Sequence, residues 1–138
     1  MAKKVYFACS IRGGGDTTNY EAIIKAIKVA GVEVLSEVFV HDAIHLGGSP
    51  LPEPEIFLRD TTMIQSADAV VAEVTNPSLG VGYELAYAEH LQKPVLCLFD
   101  NTSGRNLSAM IKGNPYFSII EYSQEVSLQD AITAFIER

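Results

Sequence analysis

Basic side chains are the scarce commodity in this sequence. Ten Lys and Arg face 17 Asp and Glu, for a net charge of -7 at pH 7 with neutral histidines. Phosphate backbones and acidic lipid surfaces select for clustered Lys and Arg, so that balance argues against a binder of nucleic-acid polymers or membranes. Any anion this chain holds must be gripped locally. No apolar run approaches the length of a membrane span, and the start "MAKKVYFACS" is too short in apolar residues for a secretory signal, so a cytoplasmic protein is expected. Low-complexity tracts are missing, which sets aside a disordered tail. Only two cysteines occur. Cys9 and Cys97 both fall in apolar, strand-like runs, the usual setting of buried free thiols in a reducing compartment, with a disulfide as the lesser reading. The three histidines, His41, His45 and His90, show no metal-ligand spacing, and neither a metal nor a cofactor is expected.

What remains is a chain of 138 residues, 48% of them apolar, enough for a single domain over residues 1–138 with its own core. "KVYFACS" reads as a buried strand that ends in the glycine loop "IRGGGD", and Asp16, Thr17 or Thr18 can cap a helix carrying Tyr20, Ile23, Ile24 and Ile27 as far as Gly31. "VEVLSEV", from Val32 to Val38, alternates as a second strand. The stretch "HDAIHLGGSPLPEPE" then reads as a long Gly/Pro-rich loop from Phe39 to Glu55, of the kind that covers binding sites. Pro54 opens a helix that runs to about Ala67. "ADAVVAEVT" is apolar on both faces, as befits the centre of a parallel sheet, with Glu73 as an unexplained acid near its end. The helix of "NPSLGVGYELAYAEHL", the strand "PVLCLF", a short piece near Leu107 to Ile111, the strand "YFSIIEY" and a last helix from Ser127 to Ile136 follow. This alternation predicts a doubly wound, Rossmann-like three-layer α/β sandwich of five mainly parallel strands in the order 2-1-3-4-5. Ligands in such sheets lie beyond the strand ends where the order reverses, between strands one and three.

That point brings "SIRGGGD" beside "NPSLGVGYE". The glycines let successive N–H groups face one anion, and Ser10 and Arg12 can add a hydroxyl and a guanidinium; a plain flexible turn is the bland alternative. It is neither a Walker loop, which needs Lys-Ser/Thr, nor a phosphatase loop, since no arginine follows Cys9 at the right distance. Ser78 can cap the later helix or help hold an anion at its start. Two acids stand where acids are costly. Asp60 shares a helix face with Ile56, Phe57, Met63 and Ile64, and Glu84 shares one with Gly80, Ala88 and Leu91. Arg59 or backbone N–H groups could satisfy the first, and the helix dipole could favour the second. Together near one switch point they suggest a site in which burial and charge drive two carboxylates toward different protonation states. Tyr6 points to the same crevice or is a core aromatic with its hydroxyl paired.

The segments "YFACSIRGG", "ADAVVAEVTNPSLGVGYELAYA", "KPVLCLF" and "SGRNLSAMIKG" together resemble the Rcl-type 2'-deoxynucleoside 5'-phosphate N-hydrolases of the nucleoside 2-deoxyribosyltransferase superfamily, over Tyr6 to about Gly113. The resemblance implies hydrolysis of the N-glycosidic bond of a deoxynucleoside monophosphate to free base and 2-deoxyribose 5-phosphate. By that similarity Glu84 is the nucleophile, Asp60 assists protonation of the leaving base and Tyr6 positions sugar and nucleophile. Ser10, Ile11, Arg12, Gly13, Tyr20, Ser78 and Gly80 bind substrate, and Ser108 reaches the site of a neighbouring subunit in a homodimer. A deoxyribosyl transferase using the same intermediate, and a non-catalytic nucleotide-binding regulator on the same architecture, are the two other readings.

Overall fold

The computed structural model describes residues 2–11, 17–123 and 127–138. Five parallel strands form one sheet: β1 Lys4–Ala8, β2 Glu33–Val34, β3 Ala69–Glu73, β4 Val95–Asp100 and β5 Ser118–Tyr122, in the order β2-β1-β3-β4-β5. The predicted order is therefore the observed one. Among the described residues six helices cover it: α1 Thr17–Val29, α2 Glu37–Leu46, α3 Glu53–Ser66, α4 Leu79–His90, α5 Ala109–Lys112 and α6 Leu128–Ile136.

Side chains alternate across a strand, and that period divides the core into two. Val5 and Phe7 of β1 face the layer of α1 and α6, packing with Ile23, Ile27, Leu98 and Ile132. Tyr6 and Ala8 face the opposite layer, with Ile64 of α3 and Val81, Leu85 and Ala88 of α4. Residues 69–73 of β3 are all buried because helices cover both faces of the central strand. Tyr6 aligns with Val70 in the β1/β3 register. The tyrosine thus emerges from the strand pair where the winding reverses, on the side of α3 and α4.

Two expectations fail between Val32 and Glu55. The second strand has only two residues, Glu33 and Val34, and the supposed long loop contains the ten-residue helix α2. The cause is Ser36. Its Oγ accepts from the Phe7 N–H at 3.0 Å and donates to the Phe7 carbonyl at 2.9 Å, so a side chain completes the edge of β1 where a third β2 residue would have paired. The backbone, released from the ladder, turns into α2. Val40 and Ala43 bury one face of that helix, and Gly47, with φ of 75°, ends it in the left-handed conformation. The loop shrinks to a short link before α3, which starts with proline in its first turn.

Glu73 also gains an account. It is 3% exposed at the end of β3 and accepts from the Thr75 N–H at 2.6 Å and the Thr75 hydroxyl at 3.0 Å, with the Tyr122 hydroxyl as a third donor. Thr75 Oγ1 in turn accepts from the Asp100 N–H at 2.8 Å, so the acid ties together the ends of β3, β4 and β5. Burial nevertheless pushes its carboxyl above the usual range, with the bonds from Tyr122 and Thr75 opposing.

Candidate active site

A cavity of about 350 Å³ opens at the β1/β3 switch point. Tyr6 reaches it from β1, Asp60 from α3 and Glu84 from α4, while Cys9 and Ile11, which follow β1 in the chain, add to its lining. The two acids singled out in the sequence share one hollow. Tyr6 Oη donates a hydrogen bond to Glu84 Oε2. Asp60 Oδ1 accepts from Arg59 Nε at 2.9 Å, and the Arg59 guanidinium lies 4.1 Å from the centroid of the Phe39 ring. Arg59 is therefore held in place from two sides, by charge and by an aromatic face.

The electrostatics separate these groups. Burial pushes the Glu84 carboxyl up to about 7; the hydrogen bond from Tyr6 opposes the rise, the charge of Asp60 adds to it and Arg59 opposes it. Glu84 consequently changes charge near neutrality. Burial, with the neighbouring Glu84 and Asp60 charges, holds the Tyr6 hydroxyl protonated far above the usual phenol range, so it remains a donor. The Cys9 thiol is likewise pushed up, by burial first and then by Glu84 and Glu73, which leaves it a poor nucleophile. Both cysteines are free.

The remaining candidates are distributed differently. Ser10 is 2% exposed, and its Oγ has no hydrogen-bond partner among the described residues. Buried hydroxyls are ordinarily paired, so this one stands out among the described residues. Arg12 and Gly13 lie outside the described residues. Tyr20, on α1, is buried in the core, and its hydroxyl donates to the Ser10 carbonyl at 2.8 Å, which ties α1 to the chain just after β1. Ser78 caps α4, accepting from the Val81 N–H at 3.2 Å. A Cβ at Gly80 would meet nothing nearer than Ser78 Oγ at 3.9 Å. Ser78 and Ser108 line a second cavity of about 620 Å³, on the other side of the start of α4. Ser108 caps α5 through the Met110 N–H, at 3.3 Å.

The cavity also has walls that sequence reasoning missed. Phe39, Val40 and Ala43 of α2, with Gly48 and Ser49 after it, close one side, and Ile56 and Phe57 of α3 another. The signal for the first set was available. Val40, Ala43 and Ile44 recur at helical spacing, a short signal that the glycines and prolines following them outweigh.

The profile of a known family, nucleoside 2-deoxyribosyltransferase, matches residues 5–117. The chain belongs to that family. Among relatives of this deoxyribosyltransferase-family chain is the 5-hydroxymethyl-dUMP N-hydrolase of Mus musculus, 44% identical over 127 residues covering 88% of this chain and 73% of the mouse protein. The protein of the same name from Esox lucius is 40% identical over 128 residues, covering 88% of each chain. Among solved structures, the 2-deoxyribosyltransferase of Bacillus psychrosaccharolyticus superposes with a TM-score of 0.67 at 18% identity, covering 94% of this chain and 90% of that one. At that identity the likeness speaks for the shared fold.

Proposed function

We propose that this family member hydrolyses the N-glycosidic bond of 2'-deoxynucleoside 5'-monophosphates, with 5-hydroxymethyl-dUMP, named for its relatives, as the first substrate to test. The observation that carries the reading is the meeting of Tyr6, Asp60 and Glu84 in one cavity. As the C1'–N bond breaks, its electron pair leaves with the base, which takes a proton assisted by Asp60. The sugar develops oxocarbenium character, and a Glu84 carboxylate oxygen bonds to C1'. Water then attacks C1', passing a proton to the Asp60 carboxylate as the C1'–O bond to Glu84 breaks, which releases 2-deoxyribose 5-phosphate and returns the Glu84 carboxylate. Lacking the electron-withdrawing 2'-hydroxyl, a deoxyribosyl cation forms more easily than a ribosyl one. Tyr6, kept protonated, orients Glu84 and stabilises its ionised form.

The 5'-phosphate is assigned to Ser10, Ile11, Arg12 and Gly13, which follow β1 in the chain, and to Ser78 and Gly80 at the start of α4, although Ser78 lines the second cavity and not the one that holds the two acids. The Ser10 hydroxyl, without a partner among the described residues, supports that assignment. Tyr20 serves it indirectly by holding the Ser10 carbonyl.

A homodimer completes the proposal, with Ser108 reaching the partner's phosphate. Apolar exposure supports this assembly: Leu79 is 97% and Met110 84% exposed, close to Ser78 and Ser108 in the chain, and Tyr83 adds a ring on α4. Leu79 and Met110 also line the same cavity, and exposed apolar side chains that lie together usually mark an interface. The compartment proposed is the cytoplasm, where the two free thiols would stay reduced; no described helix is long and apolar enough to cross a membrane.

The test is release of free base from 5-hydroxymethyl-dUMP and dGMP, beside the matching ribonucleotides and unphosphorylated deoxynucleosides. The reading expects turnover of the deoxynucleotides alone. Equal turnover of the unphosphorylated compounds would contradict it, and transfer of deoxyribose to an added acceptor base would make the chain a transferase instead.

A further inference from the structure

Helix α2 changes what two histidines can do. Read as a loop, "HDAIH" offers no metal geometry; wound into a helix, His41 and His45 are one turn apart on one face, their rings parallel to within 8° with centroids 6.3 Å apart. Glu21 of α1 comes up to the same place. One ligand atom from each of Glu21, His41 and His45 lies within 4.8 Å of the others.

We propose that these three side chains form a binding site for a divalent first-row transition ion of the zinc class, which clips α1 to α2. Two imidazoles and a carboxylate suit Zn²⁺, Ni²⁺ or Cu²⁺, whereas Mg²⁺ and Ca²⁺ require oxygen-rich shells. Bonds of about 2.0–2.1 Å set tetrahedral ligand atoms about 3.4 Å apart. The remaining closure is a matter of side-chain rotation, since Glu21 and His45 are exposed and His41 is half-buried. Local charge is balanced, the groove holding Glu21 and Glu37 against Lys25 and Lys28. Lys28, in the same groove, is paired with Glu37 at 2.9 Å, which blunts its repulsion. Glu37 Oε2 also lies 3.8 Å from His41 Nε2, within reach of the outer carboxylate role that orients a ligating imidazole. Water fills the open coordination position.

The position gives the ion a consequence. α2 supplies Phe39, Val40 and Ala43 to the wall of the first cavity, and α1 packs in the same core cluster as Val40. An ion bridging the two helices braces both from the outside.

Isothermal titration of the untagged, chelator-stripped full chain with ZnCl₂ at pH 7.5 tests the site, with NiCl₂ in parallel and MgCl₂ as the hard-cation control. The expected result is one Zn²⁺ per chain at micromolar Kd or tighter, no Mg²⁺ binding and a rise in Tm on adding Zn²⁺. His41→Ala/His45→Ala should weaken binding by about a hundredfold or more, and Glu21→Gln by about tenfold. His90→Ala should leave it unchanged. Absence of Zn²⁺ binding by the wild-type chain overturns the proposal, as does undiminished binding by the double-histidine variant with normal folding by circular dichroism. Glu84→Gln should bind Zn²⁺ as the wild type does, so the ion site stands or falls independently of the hydrolase reading.

Discussion

Glu84 is a carboxylate placed where burial works against its charge and a tyrosine works for it. Its pKa of about 7 means that the nucleophilic form grows in as pH rises through neutrality, so kcat/KM for base release should climb along a limb with an apparent pKa near 7. Tyr6→Phe removes the hydrogen bond that favours the ionised form. A charge-assisted bond is worth about 1.5–3 kcal/mol, so the limb should move upward by about one to two pH units; a pH–rate profile that stays in place would refute the role given to Tyr6. Glu84→Gln should lose on the order of a thousandfold or more in base release, because an amide cannot form the covalent intermediate. The same substitution should stabilise the fold. An ordinary glutamate has a pKa of 4.5, whereas here it is about 7, so the folded chain holds a proton that the unfolded chain releases between those values. This contribution to stability is complete below pH 4.5 and is lost as pH rises through 7, a penalty of up to about 3 kcal/mol at pH 8. Urea unfolding should find Glu84→Gln more stable than wild type at pH 8 by about 1–3 kcal/mol, with the advantage gone near pH 4.5.

At the scale of elements, the decisive event is the early end of β2. Ser36 occupies the place of a strand residue and uses its hydroxyl to pair Phe7 on both its N–H and its carbonyl. Ser36→Ala should strand those two buried backbone groups and cost about 2–4 kcal/mol in urea unfolding. A loss below half a kcal/mol would show that water or a longer β2 can take over. Because α2 begins at residue 37 and walls the cavity, the variant should also raise KM for the nucleotide. Alternation in "VEVLSEV" fits a strand to Val38, and nothing in local spacing distinguishes a serine that pairs across to β1 from one that faces solvent. The missed helix follows from that missed bond. The other helices were legible because their signals are local: proline in the first turn of α3, Ser78 and Ser127 as caps, and Gly31, with φ of 87°, after α1.

For the whole molecule, the unfinished surface is the one around Leu79 and Met110. Sedimentation of the wild type should give a dimer, and Leu79→Asp/Met110→Asp should shift it to monomer, because two charges would be buried at the proposed interface. If Ser108 of one subunit serves the other's phosphate, this variant should lose affinity for the nucleotide while the pH limb governed by Glu84 stays near 7. A wild-type chain that sediments as a monomer and turns over normally would remove both the dimer and the shared site.

Periodicity and end signals in the sequence determined the sheet, its parallel order and the layers on its faces, because alternation, apolar runs and capping residues act over one or two turns of chain. The same signals marked Asp60 and Glu84 as acids on apolar faces. Only the tertiary structure decided that they share a cavity with Tyr6, that Glu73 ties three strand ends together, and that "HDAIH" is a helix facing Glu21. Each depends on contacts between residues distant in sequence: Tyr6 and Glu84 are 78 positions apart, and Phe7 and Ser36 are 29. Hydrogen bonds, desolvation and charge act through space, and chain folding alone sets those distances.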